Sequence, residues 1–236
     1  QYLLEELPDN DVQRMYRLNR AAIQDLYAIV AEDLEPLTGR SNALPRMCKL
    51  LAVLYFLGNA TFQPVTSRII GMSQPTFSRI LTQVLKAILK HSCRHISFPS
   101  TMEELAGLPN CLGAIDCTHI LLAPPKQREE QFRNCKHSHS LNVQVVCDSH
   151  LQIMSIRSGF PGSCHDSYIL RQSALYRKFT DGRMPEGWLV GDAGYGIHPW
   201  LMTPVRFPQT PAEHRYNQID STCECFFRLQ CRTLCC

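Results

Sequence analysis

The spacing of apolar residues changes between residues 99 and 110, and this change limits the fold more than any other feature of the sequence. Before it, apolar side chains recur every three or four residues, as they do on one face of a helix. After it, they occur in short runs rich in β-branched residues, separated by turns that contain glycine or proline. The sequence therefore predicts an all-α region over 1–100, followed by an α/β domain over 108–236.

The spacing predicts four helices in the first region. Gly71 ends the third helix, and Ser73 is placed to cap the fourth, which has Pro75 in its first turn. A short helix, a glycine-containing turn and a longer helix form a helix-turn-helix pattern, although an ordinary helical hairpin has the same signature. The predicted helices cover 11–34, 45–57, 64–70 and 73–90.

A long stretch of this region contains no acidic residue. None occurs between Glu35 and Glu103, whereas the same span contains eight lysines and arginines. A positive field of this kind is typical of proteins that bind polyanions, so we expect DNA to contact the second helix of the pair. The residues expected to bind DNA are Ser73, Gln74, Thr76, Arg79 and Lys86, and Gln83 is expected on the same outer face.

Composition and the first residue bear on membrane segments, the state of the cysteines and the completeness of the chain. No apolar run reaches the roughly 18 residues of a membrane-spanning helix, so no membrane segment is expected. The chain has twelve cysteines but opens without a secretory leader, so we expect reduced thiols. Five cysteines lie in the last fourteen residues, and a zinc site there remains an alternative although no Cys-x-x-Cys motif occurs. Because the first residue is Gln1, we expect a fragment.

The second region alternates strands and helices. Two runs with β-branched residues on either side of the turn at Asp148–His150 predict a hairpin, and proline-rich polar chain follows the last strand. This order is typical of an α/β domain. The predicted strands cover 112–122, 141–148, 151–159 and 188–191, with helices over 165–179 and from about 220.

Two aspartates occupy unusual places in these strands. Asp116 lies within the stretch GAIDCTHILLAPP, and Asp192 follows the apolar strand that ends at Gly191. A buried carboxylate is costly unless it is paired or binds a metal. With Glu224 on the last predicted helix, three acids could hold the two divalent cations that cleave a phosphodiester. The alternative is that these acids cap helices or accept backbone hydrogen bonds.

Six motifs, in this order, resemble those of the PIF/Harbinger-type DDE transposases and their domesticated relatives. They are GAIDCTHILLAPP, LNVQVVCD, GFPGSCHDSYILRQS, WLVGDAGYG, WLMTPVRFPQTPAEHRYN and CECFF, and FQPVTSRIIGMSQPTFSRI extends the resemblance into the helical region. The resemblance implies an RNase H-like mixed sheet with flanking helices, and DNA cleavage with two Mg²⁺ or Mn²⁺ ions. It places the catalytic, metal-binding acids at Asp116, Asp192 and Glu224, and supporting residues at His165 and Asp166.

The resemblance also implies a function, a partner and a location. We expect a transposase-derived, metal-dependent DNA endonuclease in the nucleus and also the cytoplasm, with a Myb-like protein as a partner. The alternative is a DNA-binding adaptor that has kept the fold and lost the chemistry. Cys117 stands where many members of the family have glycine, and the chain ends soon after Glu224, so we expect a truncated C-terminus.

Overall fold

The chain divides into two compact units, Gln1–His95 and Ile96–Cys236. A computed structural model describes residues 4–35, 44–98, 110–148, 150 and 152–217. Glu224, the terminal cysteines and the predicted helix from about 220 lie outside the described residues. Among the helices that are described, none combines the length and the apolar character needed to cross a membrane.

The first unit is helical throughout its described elements. Its core is formed by fully buried side chains from successive helices, among them Val12, Ile23, Leu50 and Val84. Burying such side chains stabilises the unit by about 1.5–3 kcal/mol each. The α-helices are α1 (Asp9–Tyr16), α2 (Arg20–Val30), α3 (Arg46–Asn59), α4 (Gln63–Ile70) and α5 (Gln74–His95), with short 3₁₀ turns at Leu4–Glu6 and Glu32–Leu34.

The segment predicted as one helix over 11–34 is divided in the structure. Arg17 has a left-handed backbone with φ of 59°, which ends α1. The Asn19 side chain then accepts a hydrogen bond from the backbone N–H of Ala22 at 2.8 Å and begins α2. The apolar spacing continues through the break, so it could not reveal it. The N-cap asparagine was the signal that the prediction missed.

Helix α5 is held by polar contacts that the sequence did not predict. The buried ammonium of Lys49 donates to the carbonyl of Leu34 at 2.9 Å and to Oε1 of Gln83 at 3.2 Å. The amide of Gln83 donates to the carbonyl of Asp33 at 3.0 Å. Gln83 therefore faces the interior of the unit, and its predicted place on the outer face was wrong. Burial lowers the pKa of Lys49, because desolvation disfavours the charged ammonium.

The second unit contains a mixed sheet of five strands in the order β3-β2-β1-β4-β5. Strands β1, β2 and β3 pair antiparallel, whereas β1–β4 and β4–β5 pair parallel. The sheet is consistent with an RNase H-like α/β fold. Its strands are β1 (Cys111–Leu121), β2 (Ser140–Cys147), β3 (Ile153–Pro161), β4 (Trp188–Gly191) and β5 (Leu201–Met202), and its helices are α6 (Glu129–Phe132), α7 (Asp166–Arg171) and α8 (Ala174–Thr180).

Helices α7 and α8 cover one face of this sheet. Leu170 and Leu175 from the helices pack with Ile115, Val146 and Leu189 from the strands. The helix predicted over 165–179 is divided at Ser173, whose hydroxyl accepts from the backbone N–H of Tyr176 at 3.1 Å and caps α8. As in the first unit, a capping side chain interrupts a continuous apolar pattern.

The contact between Asp33 and α5 generates a prediction about stability. The carboxylate of Asp33 accepts from Lys90 Nζ at 2.6 Å and from His91 Nε2 at 2.8 Å. The hydrogen bond from Lys90 and then that from His91 hold the pKa of Asp33 below its ordinary value. The stabilisation is therefore present above the ordinary pKa of the carboxyl and is lost as pH falls through the lowered value.

We expect Asp33→Asn to lower the melting temperature of the full chain at neutral pH. The difference from the unmodified protein should shrink as the pH falls through the acidic range. Thermal unfolding followed by circular dichroism at several pH values measures this. The control is Asp25→Asn, which removes an exposed carboxylate from α2. Equal melting temperatures for Asp33→Asn and the control at neutral pH would contradict the prediction.

Candidate active site

The parallel pairing of β1 with β4 brings two of the predicted acids to neighbouring positions. Ile115 on β1 pairs with Gly191 on β4, and each is followed directly by an aspartate, Asp116 and Asp192. Neighbouring strands lie about 4.8 Å apart, so the two carboxylates start from adjacent points of the backbone. Both residues are half-buried. The register thus sets the backbones of Asp116 and Asp192 at adjacent positions at this edge of the sheet.

Backbone groups orient the carboxylates of both acids. Oδ1 of Asp116 accepts from the N–H of Cys117 at 2.8 Å. Oδ1 of Asp192 accepts from the N–H of Gly194 at 2.9 Å, which closes the turn after β4. These backbone hydrogen bonds fix the orientation of the two carboxylates.

Asp166, predicted as a supporting residue, lies beside Asp192. A β-carbon added to Gly194 would be 3.0 Å from Oδ1 of Asp192 and 3.3 Å from Oδ2 of Asp166, so both carboxylates reach the same point. Oδ1 of Asp166 accepts from the buried amide of Asn142 at 2.9 Å. His165 lies just before α7 and is exposed. The Asp166 carboxylate is therefore fixed by the sheet, whereas its neighbour faces solvent.

A half-buried thiol and a buried phenol lie next to these carboxylates. The Sγ of Cys117 is 3.1 Å from the hydroxyl of Tyr195. Burial raises the pKa of the Cys117 thiol strongly, and the negative charge of Asp166 adds to this effect. The pKa of Tyr195 is also raised, first by burial and then by Cys117. Burial and the neighbouring charges thus favour the protonated, neutral forms of both groups.

Two buried amides extend the polar surface on the same side of the sheet. Asn142 and Gln144 on β2 are each only 1% exposed. Within the described part of the chain, Oδ1 of Asn142 and Oε1 of Gln144 have no hydrogen-bond partner. A buried acceptor without a partner costs about 1–3 kcal/mol. Two such groups beside Asp166 indicate a surface shaped for something other than stability.

The carboxylate oxygens at this edge of the sheet are the type of ligand that a hard divalent cation prefers. Asp116 and Asp192 supply carboxylate oxygens, and Mg²⁺ takes one or two carboxylates together with water and phosphate oxygens. Among the described residues, no three His, Cys, Asp or Glu side chains form a group able to hold a metal ion. Glu224, the predicted third acid, lies outside the described residues, as do the terminal cysteines of the alternative zinc site.

Sequence reasoning missed a cation at this edge. Arg206 is exposed, and its guanidinium donates to the carbonyl of Ala193 at 3.1 Å, one residue after Asp192. Strand β5 brings it there, because Val190 on β4 pairs with Met202 on β5 and both chains leave the sheet at the same edge. Two-residue β5 lies in the stretch predicted as irregular and proline-rich, so no sequence pattern indicated this approach.

The residues predicted to bind DNA lie at the start and on the outer side of α5. Ser73, Gln74, Arg79 and Lys86 are exposed. Thr76 is half-buried, and its hydroxyl lies 2.8 Å from that of Ser73, whose Oγ also accepts from the Thr76 N–H at 3.4 Å. Ser73 therefore caps α5. The first turn of the helix is exposed at Gln74.

Comparisons with known proteins identify relatives of the chain. The sequence profile of the DDE superfamily endonuclease family matches residues 115–229, which include Asp116 and Asp192. The curated protein named "Putative nuclease HARBI1" of Rattus norvegicus is 35% identical over 245 residues, which cover 100% of this chain and 70% of the relative. Its namesake in Homo sapiens is 33% identical over 244 residues, covering 99% of this chain and 70% of the relative.

A more distant relative comes from a plant. The Arabidopsis thaliana protein named "Antagonist of like heterochromatin protein 1" is 26% identical over 225 residues, covering 83% of this chain and 57% of the relative.

The close packing around Gly191 generates a prediction about this site. A β-carbon there would lie 3.0 Å from Ile115 Cγ2, 3.1 Å from Tyr195 Cδ2 and 3.2 Å from Leu201 Cδ1. We therefore expect Gly191→Ala to lower the free energy of unfolding by about 1–3 kcal/mol, since these neighbours are buried and must shift.

Gly196 provides a matched control for this substitution. It lies in the loop that follows β4, and a β-carbon there would meet nothing within 4 Å. Gly196→Ala should be neutral or stabilise by up to about 1 kcal/mol through the unfolded state. Urea unfolding of the full chain compares the two variants, and equal effects would contradict the packing argument.

Proposed function

The chain belongs to the harbinger transposase-derived nuclease family, and we propose that it is a metal-dependent DNA endonuclease that hydrolyses phosphodiester bonds at the Asp116–Asp192 site. The parallel register that sets these two acids side by side carries the proposal. Glu224 is proposed as the third acid, and His165 and Asp166 as supporting residues. A nuclear and also cytoplasmic location remains part of the proposal.

The acids of this site are proposed to hold Mg²⁺ or Mn²⁺. When bound, such ions activate an attacking water and neutralise charge on the leaving oxygen of a phosphodiester. The protein's own part is to hold the acids still. Gly194 fixes Asp192 and Asn142 fixes Asp166, so little reorganisation is needed when substrate arrives.

Charge around the acids supports a phosphodiester as substrate. Carboxylates alone would repel an anionic backbone, so a DNA site built on them needs positive groups nearby. Arg206 supplies one, because its guanidinium is anchored next to Asp192 and its remaining N–H groups can donate to phosphate. Tyr195 and Cys117 stay neutral and add no further negative charge beneath the site.

The helical unit is proposed to bind DNA through α4 and α5 as a helix-turn-helix. Support comes from the absence of acids between Glu35 and Glu103 and from the exposure of Gln74, Arg79 and Lys86 along α5. Polar side chains of a second helix reach base edges and phosphates in such motifs. A Myb-like protein partner stays a proposal that only the family supports.

Nicking of supercoiled plasmid tests the proposed chemistry. We expect the full chain to nick DNA with Mg²⁺ or Mn²⁺ and to lose this activity in EDTA. Asp116→Asn and Asp192→Asn should each lower the rate by about 100-fold or more, because each removes a carboxylate needed to hold the ions. The control is Glu186→Gln, an exposed acid at the opposite end of β4.

Two results would count against this assignment. Nicking that persists in both aspartate variants would place the active site elsewhere. A folded wild-type chain that binds DNA and never nicks it with either metal would support the adaptor alternative instead.

Metal binding can be measured without activity. An ion that binds only the folded state stabilises it by about 2.7 kcal/mol at a hundredfold excess over its dissociation constant. We therefore expect Mg²⁺ and Mn²⁺ to raise the melting temperature of the wild type but not that of Asp116→Asn. In EDTA the variant should melt no lower than wild type, since a like charge has been removed. A wild-type melting temperature indifferent to both ions would refute the metal site.

DNA binding by the first unit predicts a strong dependence on salt. Each phosphate neutralised contributes about 0.9 to the slope of log affinity against log salt. Arg79→Ala should weaken binding of the full chain by about 1–3 kcal/mol if Arg79 contacts a guanine. If Arg79 contacts phosphate, the loss should depend less on the DNA sequence. Arg14→Ala on α1 is the control with the same change of charge. Fluorescence anisotropy at several salt concentrations measures both; equal affinities for the two variants would place the DNA surface elsewhere.

A further inference from the structure

His119 is an exposed histidine that the nuclease proposal has not used, although it lies three residues after Asp116 on β1. We propose that His119 contacts DNA directly, by donating a hydrogen bond from Nε2 to a phosphate oxygen of the bound strand. This inference rests on the proposed function, because it assigns a substrate contact to the same site. Three observations carry it: the hydrogen-bond chain behind the ring, the face on which the ring lies, and the charge around it.

The ring of His119 is held by a chain of buried side chains. Its Nδ1 lies 3.0 Å from Oγ of Ser140, which is fully buried. The same Oγ accepts from Nδ2 of Asn134 at 3.1 Å. Asn134 is itself fixed, because its Oδ1 accepts from the backbone N–H groups of Lys136 and Ser138, both at 3.0 Å. The orientation of the Asn134 amide is therefore set by the backbone.

This chain decides which nitrogen of the imidazole carries the proton. The Asn134 amide can only donate to Ser140, and Nδ1 of His119 is the other partner that the described residues give the Ser140 hydroxyl, so the hydroxyl hydrogen is directed to Nδ1. Nδ1 then accepts, and the neutral ring has its proton on Nε2. In the other tautomer, with the proton on Nδ1, neither Asn134 nor His119 could accept the hydroxyl hydrogen of the fully buried Ser140. An unsatisfied buried donor costs about 1–3 kcal/mol. The fold thus presents Nε2–H outward as a hydrogen-bond donor.

The strand register places this donor on the same side of the sheet as Asp166. His119 pairs across the strands with Asn142, and Cys117 pairs with Gln144. Side chains two residues apart share a face, so Cys117 and His119 point to the side on which Cys117 meets Tyr195. Asn142 binds Asp166, and cross-strand side chains start about 5 Å apart. The His119 ring therefore lies next to the residues that surround Asp166.

A neutral donor suits this place better than a cation would. A lysine or arginine at position 119 would pair with the nearby carboxylates and compete with metal ions for them. A neutral Nε2–H can donate to an anionic phosphate oxygen without competing for Asp166 or Asp192. Support of this kind behind a solvent-facing group is what a substrate contact requires.

Two substitutions separate the two nitrogens of the ring. Asn at position 119 keeps a polar atom near the place of Nδ1 and lacks the donor at Nε2, whereas Gln places its amide nitrogen near the place of Nε2. We expect H119N to nick plasmid about tenfold or more slowly, because a hydrogen bond to a charged oxygen is lost, and H119Q to recover part of that loss. His214→Asn, an exposed histidine of the same unit, should nick at the wild-type rate. Equal losses in H119N and H119Q, or no loss, would overturn the proposal.

A measurement independent of cleavage completes the test. Long-range proton–nitrogen NMR of the full chain, labelled at histidine and kept in EDTA, should show His119 as the neutral tautomer with its proton on Nε2. Ser140→Ala should abolish that preference. A saturating short DNA duplex should shift the Nε2 resonance of His119 and leave His214 unchanged. A proton on Nδ1, or an Nε2 resonance that stays unchanged when DNA is bound, would refute the inference.

The two measurements also separate this inference from the nuclease proposal. A wild-type chain that never nicks DNA, but whose His119 Nε2 shifts on binding it, would refute the nuclease and keep the phosphate contact. A chain that nicks with Mg²⁺ at the wild-type rate in H119N would keep the nuclease and refute the contact.

Discussion

The parallel pairing of β1 with β4 is the constraint on which the second unit depends. One register sets Ile115 opposite Gly191, and the next residue on each strand is an aspartate. Parallel strands cannot be joined by a tight turn. The hairpin and helices α7 and α8 accordingly lie between β1 and β4 in the chain. Gly191 is needed at this point, because Ile115, Tyr195 and Leu201 leave no room for a side chain. The acid pair is thus a product of the topology and of one glycine.

The sheet face under α7 carries polar groups that a purely structural core would avoid. Ser140, Asn142 and Gln144 alternate along β2 and are all buried, in positions where apolar residues would pack without hydrogen-bonding demands. Two of these residues position side chains nearer the surface: Asn142 fixes the half-buried Asp166, and Ser140 orients the exposed His119. Buried polar side chains cost stability unless they are satisfied, so their concentration at one end of β2 indicates that positioning has been favoured over packing.

Local patterns in the sequence predicted most elements, and the failures have two causes: capping side chains that interrupt an apolar pattern, and pairing between distant strands. Apolar spacing and β-branched runs located α3 and α4, four of the strands and the two strand-associated aspartates. Spacing could not show the breaks at Arg17 and Ser173, since apolar residues continue across both and only a capping side chain marks each break. Apolar spacing also could not predict β5 or the approach of Arg206. Both depend on pairing with β4, a contact between residues that are distant in the sequence. The site was therefore predictable as two acids, whereas the groups around them were not.

The charge pattern of the chain favours DNA binding and phosphodiester cleavage in different parts of the chain. A phosphodiester approaching Asp116, Asp166 and Asp192 meets three carboxylates, so that site alone would repel DNA. Arg206 and a neutral donor at His119 offset only part of this repulsion, and metal ions would have to offset the rest. In the helical unit, residues 36–95 contain only basic charges, although Asp33 and Glu35 pair with Lys90 and Arg46 of this stretch. Sequence-independent attraction to phosphates can therefore reside in the helical unit, at a strength that salt controls. The acidic site can then bind its phosphate weakly before cleavage, and interactions that form only as charge develops on the leaving oxygen lower the barrier itself.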